Sequence, residues 1–209
     1  MTSNGSKWGV VCLTGALLLL IVLGPIQSAI WNGPETPGWI ARLTWLHQTA
    51  SRLQAAIPAW AGMHPYDAFG RLMAIVYAGA LVGLAGLSPG SQPISQRMKQ
   101  VALVTLGIAA VADVVSYWTA GFENDGLRFW SFWVTEMPAL VLTLLAVSTL
   151  GILRLRAGYA PGWANWPLAL VLPLALALTA ALQYMPHGPM TALCAALLIA
   201  YAATSPQSA

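Results

Sequence analysis

The ionisable residues of this chain are few, and their positions restrict where chemistry can occur. Arg71, Asp113 and Glu136 fall inside long apolar stretches, where a charged side chain is tolerated only with a partner or water. Glu35, Asp67, Glu123 and Asp125 lie toward the same ends of those stretches, together with His47, His64 and His187. Lys7, Arg97, Lys99, Arg154 and Arg156 fall at the opposite ends. Acid–base chemistry is therefore confined to one side of whatever the stretches cross.

Asp113 lies five residues before Trp118, where its stretch ends, and Glu136 lies seven residues after Phe129, where the next begins. At ~1.5 Å per helical residue, both carboxyls come ~8–10 Å inside their helix ends, at one depth on antiparallel neighbours. Arg71, near the start of the preceding stretch, reaches that depth too. The expectation is a close triad in which Arg71 pairs with one carboxylate. Two carboxyls in unequal surroundings can divide the acid and base roles of catalysis, so Asp113 and Glu136 are the catalytic candidates.

Helical spacing supplies the surroundings. Ser116 and Tyr117 follow Asp113 at i+3 and i+4 and share its face. Tyr77, about two turns beyond Arg71, lines the same channel deeper down. Pro138 lacks a backbone donor and predicts a kink beside Glu136. Tryptophan is over-used, with ten copies. Trp31, Trp39, Trp45, Trp60, Trp118, Trp130 and Trp133 fall on the acidic side, against Trp8, Trp163 and Trp166 on the other. For any single tryptophan an interfacial belt is the first reading, but a belt is normally two-sided, and the bias leaves an aromatic-lined outer pocket, able to hold an isoprenoid chain or stabilise a cation, as the functional alternative. The candidate substrate-binding residues are Arg71, Tyr77, Ser116, Tyr117, Trp118, Trp130 and Trp133.

Other chemistries lack their signatures. The histidines show no HxxxH or HExxH spacing, and the acidic loop at 121–126 lacks the length and final Glu of a calcium-binding hand. Cys12 and Cys194 sit in apolar stretches without a CxxC pattern. Neither a metal nor a cofactor is expected. The formal charge is +3, but the cations are scattered, which argues against nucleic acid as a partner.

The elements that position these residues are membrane helices. The chain is 58% hydrophobic and 7% charged, with mean hydropathy +0.69; a soluble domain carries about 25% charged residues. The reading is an all-α polytopic membrane protein forming one bundle, with spans at about 8–30, 66–87, 101–118, 129–153, 163–184 and 189–204. The first is read as an uncleaved span, because Gln27 fits poorly at the −3 position of a cleavage site. Between about residues 38 and 57, Ile40, Leu43, Leu46, Ala50, Leu53 and Ile57 recur at helical spacing beside Arg42 and Arg52. That pattern predicts an amphipathic helix at the outer interface. Basic residues are enriched in short loops left in the cytoplasm, so both termini are placed there.

The functional expectation is a small membrane-embedded enzyme acting on a membrane lipid or isoprenoid-like molecule by carboxylate acid–base chemistry, of isomerisation or cyclisation type. Two alternatives use the same residues. One is a non-catalytic assembly subunit in which Arg71, Asp113 and Glu136 lock three helices together. The other is a proton-linked transporter.

Overall fold

The computed structural model describes residues 3–56, 65–119, 125–159 and 161–203. Among these the regular elements are all helical. Helix α1 (Ser3–Asn32) is followed by a short 3-10 turn, α2 (Gly38–Ala41) and α3 (Thr44–Ala56). Next come α4 (Pro65–Gly70), α5 (Met73–Gly86) and α6 (Pro93–Trp118). The fourth long segment joins α7 (Asp125–Phe129), a π-helical stretch (Trp130–Glu136) and α8 (Met137–Arg156). The chain ends with α9 (Trp166–Ala169), α10 (Val171–Leu182) and α11 (His187–Ala202).

Four helical segments are long and apolar enough to cross a membrane: Lys7–Glu35, Tyr66–Gly86, Pro93–Trp118 and Gly126–Arg156. A fifth candidate is bent by 55° between Ala169 and Val171. Pro173 explains the break, since it cannot donate to the Ala169 carbonyl four residues back and its ring crowds that turn. The expected sixth span corresponds to α11, a shorter apolar helix; Thr204 lies outside the described residues. The surface agrees with lipid as solvent, because Leu18, Ile21, Val104 and Val111 are each more than half exposed. The protein is an all-α polytopic membrane protein.

Lipid tails are as apolar as leucine, so close van der Waals packing must hold the helices together. α1 lies against α5 and α11, α6 pairs with α8, and α10 pairs with α11. A Cβ at Gly79 would stand 2.8 Å from the Cys12 carbonyl oxygen, so glycine is what lets α5 press onto α1. Tyr201 of α11 donates to the Gly83 carbonyl at 2.8 Å and ties the third member to the pair.

The interfacial helix expected over 38–57 is divided. Arg42 and Leu43 form a turn between α2 and α3, and Ile57 lies outside the described residues. The two pieces have different anchors. Ile40 is fully buried in a cluster with Tyr66, Tyr117 and Tyr184, and the Trp39 indole donates to the Ala181 carbonyl at 2.8 Å. Leu46 of α3 instead packs with Leu23, Ile26 and Phe69.

Arg154 departs from its expected role as an exposed flanking cation. It is only 2% exposed. Its Nε donates to Asn165 Oδ1 at 2.7 Å, its Nη1 donates to the Ser88 carbonyl, and its guanidinium lies 4.3 Å from the centre of the Tyr159 ring. It joins the loop after α5 to the loop after α8.

Candidate functional site

The candidate site lies at the end of the bundle distal to Lys7, where α1, α4, α6, α10 and the π stretch converge. Its geometry begins with the ends of two helices. Gln183 takes a left-handed conformation, φ 49°, which terminates α10. The Ser28 hydroxyl donates to the Leu182 carbonyl at 2.5 Å, and Asn32 Nδ2 donates to the Gln183 carbonyl at 3.2 Å. These bonds fix the segment that carries Tyr184 against α1.

Tyr184 then meets two tyrosines from distant parts of the chain. Its hydroxyl is 2.6 Å from that of Tyr66 and 2.9 Å from that of Tyr117. The third side of the triangle, Tyr66 to Tyr117, is 3.4 Å, at the limit of a hydrogen bond. Each phenol both donates and accepts, so the three form a connected set. Gly70 makes room for the trio, because a Cβ there would overlap the Tyr117 ring.

Beside the tyrosines opens a cavity of about 510 Å³. Trp31, Phe129, Phe132, Trp133 and Met185 give it an apolar wall; Ser116, Thr179, Gln183, Arg128 and the three tyrosines bring polar groups to it. A few convergent polar groups in a largely apolar cavity of this size is the usual make-up of a small-molecule site. Arg128 Nη2 donates to Asp67 Oδ1 at 3.1 Å, the one ion pair among the described residues, and its guanidinium lies 5.6 Å from the centre of the Tyr66 ring.

Asp113 and Glu136 stand behind this wall. Both are fully buried, and neither lines the cavity. Asp113 is one turn below Tyr117 on α6, an axial step of ~6 Å. Asp113 lies on α6, and Glu136 ends the π stretch that packs against α6. Tyr77, also fully buried, donates to Glu136 Oε1 at 2.8 Å. Glu136 Oε2 and both Asp113 oxygens have no hydrogen-bond partner among the described residues.

The π stretch sets where Glu136 falls. The Met137 amide donates to the Phe132 carbonyl, five residues back, in place of the usual four. Pro138, with no amide hydrogen, opens α8 immediately afterwards. The kink expected at the proline is therefore realised as a widened turn before it, and π segments of this kind are frequent at functional sites.

The expected triad does not form. Arg71 Nε donates to the Tyr117 carbonyl at 3.3 Å, and the guanidinium lies 4.9 Å from the centre of the Trp118 ring. It makes no ion pair with Asp113 or Glu136. Arg71 sits near a helix end, and its long side chain reaches along the surface to the end of α6 instead of inward to the acids, as cationic side chains near helix ends commonly do. Of the other expected site residues, Ser116, Tyr117 and Trp133 line the cavity. Trp118 and Trp130 are more than half exposed outside it, with Trp130 packed edge-on to Phe129.

His187 falls in a Pro-His-Gly-Pro turn sequence, where an exposed ring would be the ordinary outcome, yet it is fully buried, and neither ring nitrogen has a hydrogen-bond partner among the described residues. Its ring centre lies 4.9 Å from that of Tyr184. His64 and Glu123 fall outside the described residues. Tyr66, Arg128 and Tyr184 are the site residues that sequence reasoning missed. Tyr66 at the start of its stretch and Tyr184 before the Pro186-His187-Gly188-Pro189 turn were local hints of helix ends, but no spacing relates them to Tyr117.

No protein family, curated protein or solved structure matches this chain. The functional reading therefore rests on the geometry.

Proposed function

We propose that the protein is a membrane-embedded enzyme that takes a lipid or isoprenoid-like molecule into the distal cavity and shifts a proton on it, as in an isomerisation. The observation that carries this reading is a buried carboxyl, Asp113, one helical turn behind a tyrosine that faces an aromatic cavity, with a second buried carboxyl, Glu136, on the π stretch packed against the same helix. An isomerisation adds a proton at one carbon and withdraws one from another, so the protein ends each cycle with the protons it held at the start. Tyr117 is the group in reach of the bound molecule. Asp113 and Glu136 act behind it as proton source and sink; neither is hydrogen-bonded to the Tyr66, Tyr117 and Tyr184 set, so a water molecule or a side-chain movement completes the path to the phenols, which can reverse their direction of donation together. Aromatic faces suit a transient carbocation.

The experiment has two parts. Mass spectrometry of lipids copurifying with the protein would identify the class of molecule held in the cavity. That class is then incubated with wild type, Asp113→Asn and Glu136→Gln. Loss of product in both variants, with the folded protein intact in detergent, supports the reading. Full turnover in both would sink it.

One observation favours a second reading. Buried carboxyls with no cationic partner among the described residues are also what a proton-linked carrier needs. Proton uptake coupled to solute flux in vesicles, with no chemical conversion, would favour that role. The non-catalytic lock would have to hold without Arg71, which makes no ion pair with either acid among the described residues.

For location, we place the protein in the cell membrane with both termini in the cytoplasm, following the lysines and arginines at 7, 97, 99, 154 and 156. The cavity then opens toward the outer face.

A further inference from the structure

We propose that the molecule held in the distal cavity is an amphipath with an anionic oxyacid head, phosphate or carboxylate, and that Arg128 reads the head. This rests on the proposed lipid-binding role of the cavity and adds a specificity to it.

Among the described lining residues Arg128 is the ionisable cation, and no carboxylate lines the cavity with it. Its side chain lines the cavity and is 38% exposed. Arginine carries five N–H donors in a planar fork. Asp67 takes one of them, through Nη2, and no described residue accepts from Nε or Nη1. Asp67 therefore orients the fork without filling it. The Tyr66 ring beneath the guanidinium limits how the fork can tilt.

The rest of the wall selects the body of the molecule attached to that head. Phe132, Trp133 and Met185 present apolar surface to the interior of the cavity. A neutral chain bound alone would cover the open N–H groups of Arg128 with hydrocarbon, and leaving such donors unpaired costs free energy. A cationic head would meet like charge. A phosphate or carboxylate accepts two donors at once from an arginine fork, with the chain passing inward along the aromatic side chains.

The test uses full-length protein in vesicles of neutral phosphatidylcholine and three probes with one chain: dodecyl phosphate, dodecanoate and dodecanol. Each carries a terminal bromine, so binding is read as saturable quenching of tryptophan fluorescence. The expected result is tighter binding of both anions than of the alcohol, by about tenfold or more. Arg128→Gln should bring the anions to within about twofold of the alcohol, and Arg128→Lys should keep part of the preference. A melting curve for each variant verifies folding. Saturable binding of all three probes with no preference for the anions in wild type would overturn the proposal while leaving the cavity reading intact. Absence of saturable binding by any probe would overturn both. Equal competition by inorganic phosphate alone would overturn the amphipath and identify a free anion as the occupant.

Discussion

Tyr77 donates to Glu136 across the boundary between α5 and the π stretch, and this 2.8 Å bond is the one hydrogen bond the Glu136 carboxyl makes among the described residues. Removing the hydroxyl orphans Glu136 without emptying the space. Tyr77→Phe should lower stability by ~1–3 kcal/mol, the cost of leaving a buried polar group unsatisfied. Unfolding by denaturing detergent, followed by circular dichroism, measures it; a change below ~0.5 kcal/mol would mean the carboxyl finds another partner.

The carboxyl pair gives a second expectation. General acid–base groups typically contribute ~10²–10⁴-fold to rate. Asp113→Asn and Glu136→Gln should each reduce turnover into that range, while the copurifying molecule is still retained. Loss of retention with no specific loss of rate would instead place the acids in binding.

Glycine substitutions separate the site from the lipid-facing surface. Gly70→Ala should displace Tyr117 and open the tyrosine trio, destabilising by ~1–3 kcal/mol as overpacking does. Gly107→Ala adds a methyl inside α6 where no neighbouring atom lies within 4 Å and should leave stability unchanged or raise it by up to ~1 kcal/mol, since alanine is the better residue in a helix interior. Thermal unfolding of the two variants side by side tests the contrast. Equal effects would show that the Tyr117 contact can relax.

The helical class and most of the long apolar helices were legible because hydropathy and charge spacing are local properties. So was the shared face of Asp113, Ser116 and Tyr117, which one helical turn determines. The Arg71 pairing failed because periodicity gives depth along an axis but not whether a long side chain turns inward or outward. The trio of Tyr66, Tyr117 and Tyr184 depends on three segments brought together by packing at Gly70 and by bonds from α1 to the end of α10. Neither leaves a pattern in the chain. Arg154 reads as an ordinary flanking cation until the loops it joins are seen around it.

Orientation can be checked without knowing the substrate. Ser91→Cys is expected to react with a membrane-impermeant maleimide only when the cytoplasmic face is accessible. Ser91 is exposed, whereas Cys194 is buried and Cys12 partly so; a parallel sample with both replaced by alanine removes their background. Labelling of intact cells at position 91 would reverse the assignment.

The π stretch has a consequence for how this segment can change in length. Loss of one residue between 130 and 136 could be absorbed by reversion to α geometry, but it would rotate one part of the helix against the other by ~100°. Either Phe132 and Trp133 would leave the cavity wall, or Glu136 would swing away from Asp113 and Tyr77. The surplus residue thus acts as a phase setting that lets one continuous segment serve the cavity and the carboxyl pair at once. Length, more than side-chain identity, is what this segment has least freedom to alter.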